Sequence, residues 1–153
     1  APSTLCAAAR LVECGARFDL INERVYGLFE LKRLRLQRRL LDSLEVSAGG
    51  RVALASLGPA DYAAESCTHA DSDNFVDIPR SVKGVLVAVF LRQVDAEPSV
   101  NVSLRTREPY DASRICAAWG GGGHERAAGA TIAGPLAEVR DKVRCELEAL
   151  VSA

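Results

Sequence analysis

Methionine is absent from all 153 residues, position 1 included. The opening "APSTLCAAARLVECGA" therefore reads as a continuation of something upstream, and the chain is expected to be a piece of a longer protein. Cysteine is present but unorganised. Cys6, Cys14, Cys67, Cys116 and Cys145 are odd in number, scattered, and contain no Cys-x-x-Cys pair, which argues against both a disulfide framework and a zinc ribbon. A reducing cytoplasm is the expected location. No apolar run approaches the roughly 20 residues needed to cross a bilayer, and no charged start leads into an apolar stretch, so neither a membrane partner nor a signal peptide is expected. Charge of one sign is lacking as well: the formal net charge is −1, so any polyanion site must be built from a local cluster of basic side chains.

Histidine is the scarcest chemically useful residue, with only His69 and His124. Two-metal hydrolysis needs several carboxylate and histidine ligands holding ions about 3.5 to 4 Å apart. Asp71 and Asp73 read as turn chemistry, and Cys67 with His69 has no second pair of ligands to complete a metal site. The chain is therefore expected to bind and not to cut, with no catalytic residue and no metal ligand of its own.

What is present is ordinary globular material, 48% hydrophobic and 25% charged, enough for one to two small units with a core. Ser3 or Thr4 can cap a short helix carrying Leu5, Ala8, Ala9 and Val12, with Gly15 to end it. From Asp19 a long helical pattern runs to Val46, with one apolar stripe through Ile21, Val25 and Leu28 and a second through Leu36, Leu40 and Leu44. Two stripes on one helix suit a connector between domains. Its basic run, Lys32, Arg33, Arg35, Arg38 and Arg39, is either a solvated face or a lining for a cleft that attracts a substrate backbone. "SAGG" at 47–50 breaks the pattern and marks a domain boundary.

Beyond it, "RVALASL" reads as a strand, "PADYAAESC" as a short helix opened by Pro59, "VLVAVFLRQV" as a strand buried on both faces, and "SVNVSLRTR" as an alternating strand. "DAEP" at 95–98 joins the last two as an antiparallel hairpin. Asp111 caps a helix, "AGATIAG" is a strand, and "PLAEVRDKVRCELEALV" closes the chain as an amphipathic helix. The expected fold class is α/β, a mixed sheet flanked by helices and preceded by the long connector helix.

The chemistry concentrates in "WGGGGHERAAGATI" from Trp119. A helix enters these glycines and a strand soon follows, so the dinucleotide-binding fingerprint, which needs a strand in and a helix out, does not apply. "HERAA" at 124–128 reads as one helical turn stopped by Gly129, and the glycines before it as a nest of outward-pointing amides suited to a phosphate oxygen. Strand alternation puts Ser103, Arg105 and Arg107 on one face, opposite Val102, Leu104 and Thr106. The planar fork of Arg105 fits phosphate in a bidentate manner, and His124 can donate to a phosphate or stack beneath a base.

The strings "VSLRT" at 102–106 and "YDASRICAAWGGGGHERAAG" at 110–129, with "NFVDIPRSVKGVLVAVFLR" more loosely from Asn74, resemble the DHH-associated domain of type 1, the C-terminal half of the DHH phosphoesterases. The likeness extends over most of 51–153, and within the family it is most similar to bacterial bifunctional oligoribonucleases that also remove a phosphate from phosphoadenosine phosphate (pAp). The resemblance implies a division of labour: an upstream DHH domain in the same parent chain holds two manganese ions and hydrolyses the phosphoester, while this domain grips short RNA or a nucleotide phosphate. It implies substrate-binding roles for Ser103, Arg105, Thr106, Gly120, Gly121, Gly122, Gly123 and His124, and a homodimer formed through the absent half. Residues 1–17 would then be the tail of the DHH domain, 18–47 the connector helix and 48–153 the substrate-binding domain. Pro79 in "DIPRS" departs from the family's pattern and leaves Arg80 outside the carried-over set.

Alternatives remain within and beyond that family. Single-strand exonucleases and cyclic-dinucleotide phosphodiesterases use a similar grip, and the C-terminal tRNA-binding module of alanyl-tRNA synthetases shares a glycine-rich string of this kind. The near-neutral charge and the "SLRT" strand favour the phosphoesterase.

Overall fold

The computed structural model describes residues 2–93, 95 and 98–152, which divide into two compact units, 1–31 and 32–153. In the first unit, α1 (Pro2–Glu13) is followed by Gly15 at φ +94°, then by α2 (Phe18–Asn22) and a π-helical turn (Glu23–Gly27). None of the residues in α1 or α2 is buried, and Leu5, Phe18, Ile21, Val25 and Leu28 are all exposed.

The continuous connector helix expected over 18–47 does not form. Leu28, at φ −117° and ψ 102°, is extended, and a new helix α3 starts only at Leu31 and ends at Asp42. Leu36 and Leu40 point α3 into a core, whereas Ile21 and Val25 of the first stripe are exposed. Residues Glu45–Ser47, taken as the helix end, form β1 instead.

The second unit is a mixed six-stranded sheet between helical layers. Its elements are β1, β2 (Val52–Leu57), α4 (Pro59–Ala64), α5 (Asp77–Arg80), β3 (Val87–Arg92), β4 (Ser99–Thr106), α6 (Ala112–Ala117), β5 (Gly122–His124), β6 (Ala127–Ala133) and α7 (Leu136–Ser152). The spatial order is β1-β2-β3-β4-β6-β5. Only β2 and β3 pair in parallel, their crossover carrying α4 and α5; the other neighbours are antiparallel. The β3–β4 hairpin is thus antiparallel as the sequence implies, while parts of its "DAEP" turn lie outside the described residues.

One face of the sheet, carrying Leu54, Val89, Val102 and Leu104, packs on Cys116 of α6 and on Val139, Val143 and Leu147 of α7. That heptad-like stripe is why the last helix binds where it does. Burial pushes the Cys116 thiol up to about 11, so it stays protonated as a small apolar filler. The other face is covered over β2 and β3 only, where Ala55, Leu57 and Phe90 meet Leu36 and Leu40 of α3, Tyr62 of α4 and Phe75.

The basic run of α3 builds this second layer. The Arg33 guanidinium donates to the carbonyls of Asp71 (2.6 Å) and Asp73 (2.8 Å) and stacks 4.8 Å from the centre of the Phe75 ring. Lys32 lies 3.4 Å from Asp71, and Arg39 reaches Glu65 at 2.7 Å and Asp61 at 3.6 Å. Asp71 is held below the usual carboxylate range, first by the Thr68 backbone amide that donates to it. Arg35 and Arg38 face outward.

Asp111 caps α6 as expected, its side chain accepting from the backbone amides of Ser113 (2.9 Å) and Arg114 (3.2 Å). Replacing it with alanine strands both donors, and a loss of about 1 kcal/mol in unfolding free energy is expected. Urea unfolding of Asp111→Ala checks it, a midpoint equal to wild type being the contrary result.

Candidate functional site

The glycine run leads into a β-hairpin. Helix α6 ends in a Schellman motif: Gly120, at φ +73°, donates its amide to Ala117 (3.1 Å), and Gly121 donates to Cys116 (2.8 Å). Those two amides are committed to the helix end, so the nest of outward-pointing amides expected at the start of the run is not formed by them. Nor is "HERAA" a helical turn stopped by Gly129. Gly122, Gly123 and His124 pair antiparallel with Gly129, Ala128 and Ala127, leaving Glu125 and Arg126 as a two-residue turn. The physical reason is closeness of approach. A Cβ on Gly121 would sit 2.2 Å from the Gly129 carbonyl oxygen, and one on Gly123, at φ +150°, 2.6 Å from that of Ala127. Glycine lets the two backbones lie together where any side chain would push them apart.

The turn is pinned from several sides. The Ala112 amide donates to the Glu125 carbonyl at 2.7 Å, and the Thr106 amide donates to that of Arg126 at 3.2 Å. Arg126 in turn donates to the Tyr110 carbonyl at 3.0 Å and pairs with Glu108 at 3.0 Å.

Register then fixes what shares a face, because directly paired residues point the same way. Three rows cross the sheet. In the first, Ala88 of β3, Arg105 of β4, Ala127 of β6 and His124 of β5 are successive partners. In the second the partners are Phe90, Ser103, Gly129 and Gly122, and in the third Arg92, Asn101 and Thr131. The α3–α5 layer covers this face only as far as β3, so the β4–β6–β5 half lies open beyond it.

Of the residues expected at the site, the structure brings Ser103, Arg105, Gly122 and His124 onto this open face. Arg105 and His124 flank the small Ala127 two strand spacings apart, about 10 Å. Gly120 and Gly121 border the same surface: a cavity of about 410 Å³ is lined by Ser103, Gly120, Gly121 and Gly129 together with Arg92, Asn101 and Thr131. Gly123 points the other way, toward Ala128. Thr106 does not join the group. It is buried on the opposite face, and its hydroxyl donates to the Glu125 carbonyl at 3.0 Å. Strand parity requires this placement, and it makes Thr106 a strut beneath the β5–β6 turn. Thr106→Val should cost about 1 kcal/mol of stability by removing one of the two donors to that carbonyl, the Ala112 amide remaining, read as a lower denaturation midpoint; an unchanged midpoint would remove the strut.

The residues the sequence reading missed are Arg92, Asn101 and Thr131. Arg92, its side chain 15% exposed, donates to the Ser72 hydroxyl at 3.3 Å and lies 3.6 Å from Asp73. The Thr131 hydroxyl donates to the Asn101 side-chain oxygen at 3.3 Å, which leaves the Asn101 amide group as a donor. Arg105 donates one guanidinium hydrogen to the Leu104 carbonyl at 3.0 Å and has no carboxylate partner among the described residues. Arg107, also read onto this face, donates to the Arg80 carbonyl at 3.3 Å and lines a separate cavity with Asp77, Arg80 and Ser81.

The open sheet face thus carries an arginine without a carboxylate partner among the described residues, a hydroxyl, an imidazole and a glycine floor. The family model described as the DHHA1 domain covers residues 49–153. The chain belongs to the DHHA1 domain family. It is 38% identical over 133 residues to the bifunctional oligoribonuclease and PAP phosphatase NrnA of Thermus thermophilus, spanning 87% of this chain and 39% of that protein. The solved structure of an exopolyphosphatase-related protein from Bacteroides fragilis superimposes with a TM-score of 0.83 at 28% identity, covering 99% of this chain and 45% of that one. The pGpG-specific phosphodiesterase PggH of Vibrio cholerae shares the fold at a TM-score of 0.50 and 13% identity, covering 78% of this chain and 38% of that one. The chain thus spans less than half the length of these relatives. Its α/β fold, with seven α-helices among the described residues, is that of these DHHA1 neighbours.

A manganese centre of the kind expected of DHH phosphoesterases needs several carboxylate and histidine ligands held close together. Among the described residues no three His, Cys, Asp or Glu side chains come together as metal ligands. Cys67 instead directs its thiol to the Glu65 carbonyl at 3.6 Å. No helix among the described residues is long and apolar enough to cross a membrane.

Proposed function

We propose that this chain is the substrate-gripping domain of a manganese-dependent DHH phosphoesterase that hydrolyses short oligoribonucleotides or pAp. The observation that carries the reading is the placement of Arg105, Ser103 and His124 on one open sheet face, over a floor of glycine. Arg105 offers a planar fork to a phosphate, and Ser103 adds a hydroxyl donor one row away. His124, across Ala127, donates to the same phosphate from its other side or stacks on a base. With Arg105, Ser103 and His124 all placed to donate to a phosphate, the domain's part is to bind and orient. Its contribution to rate is the entropy lost in advance when the scissile bond is positioned. The bond-breaking groups belong to a DHH domain, and the 38% identity to a bifunctional oligoribonuclease and PAP phosphatase supports that assignment.

Titrating diribonucleotides and pAp into the 153-residue chain tests the binding role. Saturable binding that weakens with added salt is expected, and no binding by a folded chain would overturn it. Hydrolysis of pAp, diribonucleotides and cyclic dinucleotides by the longer protein, with manganese supplied, then tests the substrate. Turnover of the cyclic dinucleotide alone would move the assignment to a cyclic-dinucleotide phosphodiesterase.

A further inference from the structure

The third row of the open face is chemically unlike the first. Arg105 in the first row carries charge with no carboxylate partner among the described residues, and His124 stands across from it. In the third row the Arg92 charge is already matched by Asp73 at 3.6 Å, and its neighbours Asn101 and Thr131 are neutral. A second phosphate gains little at a guanidinium that already has a carboxylate. A neutral group with hydrogen-bond acceptors fits better.

Three further features point to a flat aromatic ring. The cavity floor between the rows is backbone, where Gly121 and Gly129 present no side chain. Asn101 keeps its amide hydrogens to offer, its oxygen being satisfied by Thr131. Arg92 lines the same cavity and brings its guanidinium beside that amide. Side-chain amides and guanidinium groups are the usual readers of base edges, which present ring nitrogens and carbonyl oxygens as acceptors. Asn101 stands four residues along β4 from Arg105, about 13 Å between their backbones, a separation that the two side chains shorten from either end.

We propose that the Arg92–Asn101–Thr131 corner is a nucleobase subsite, and that a bound nucleotide lies along β4 with its phosphate toward Arg105 and its base toward Asn101. This rests on the nucleotide-binding reading above and adds to it a direction and a contact for the base. Asn101 and Arg92 thereby set affinity for the base, apart from the phosphate.

Ribose 5-phosphate and the 5′-monophosphates of the four ribonucleosides, titrated separately into the 153-residue chain, divide the two subsites. The nucleotides should bind about tenfold more tightly than ribose 5-phosphate, equivalent to one good polar contact of about 1.4 kcal/mol. Asn101→Ala should abolish that preference and leave ribose 5-phosphate affinity unchanged, whereas Arg105→Ala should weaken every ligand. Thr131→Val, at an exposed position, is the companion variant and should reduce the preference in part, its fold checked by thermal melting. Arg92→Lys is measured with it, because Arg92 also braces Ser72. Equal affinity of the wild-type chain for ribose 5-phosphate and all four nucleotides overturns the base subsite while preserving the phosphate grip. An equal weakening of ribose 5-phosphate and nucleotides by Asn101→Ala overturns it too, by making the corner a phosphate contact. Failure of every ligand to bind the folded chain defeats the nucleotide reading itself.

Discussion

Gly121→Ala is expected to destabilise the domain by about 3 kcal/mol or more, beyond the usual cost of overpacking a core. The added methyl would lie 2.2 Å from the Gly129 carbonyl oxygen, 2.6 Å from the Ala130 Cβ and 2.7 Å from its Cα. All three belong to a strand held on its other side by β4, so nothing there can swing aside. Strand β5 must lift from β6, losing its ladder and the Schellman bond to Cys116 with it. A domain of this size has only about 5 to 15 kcal/mol in reserve. A fall in melting temperature of about 10 °C or more is therefore expected.

The neighbours calibrate the claim. Gly122 has nothing within 4 Å and needs no left-handed backbone, so Gly122→Ala should change stability by no more than about 0.5 kcal/mol. Its methyl would nevertheless stand on the open face beside His124, and ligand binding should weaken while the melt stays unchanged. Gly120→Ala meets no neighbour either, and should cost only the left-handed penalty of about 1 to 2 kcal/mol. A melt of Gly121→Ala within a degree of wild type would mean that the chain does not run this close to β6.

That ordering explains what could and could not be read from the residues. Strand parity in "SVNVSLRTR" sorted Ser103 and Arg105 from Thr106 correctly, since a period of two has one solution once one face is buried. The same parity reaches Asn101, two residues before Ser103, and Arg92 on the preceding strand. They were missed because polar residues near strand ends look like ordinary solvated positions until pairing sets them side by side. The glycines failed differently. Four residues without side chains have no periodicity, so helix, nest and strand were equally open to them. What decides is Gly129 on the partner strand, and contact between Gly121 and Gly129 is tertiary information. The break in the connector helix was not legible because helical periodicity on either side of Leu28 does not report the extended backbone at Leu28 itself.

Arg105→Ala should weaken binding of short RNA or nucleotide phosphates by about 10- to 150-fold, the value of a charge-assisted contact of about 1.5 to 3 kcal/mol. Arg105 is half-buried on an open face and, among the described residues, its guanidinium is held through its bond to the Leu104 carbonyl, so the fold has little stake in its charge. Unfolding free energy should accordingly stay within about 0.5 kcal/mol of wild type. Arg105→Lys preserves the charge and loses the planar fork; it should recover part of the affinity, because a point charge cannot hold two phosphate oxygens at once. Salt provides an independent readout. Each phosphate contact contributes roughly −0.7 to the slope of log affinity against log salt for a single strand, so Arg105→Ala should make that slope shallower by about this amount. Asn101→Ala, which alters no charge, should leave the slope as it is. An Arg105→Ala variant that binds as tightly as wild type, with the same salt dependence, would move the phosphate away from the first row, to the Arg92 end of the face or off the sheet altogether.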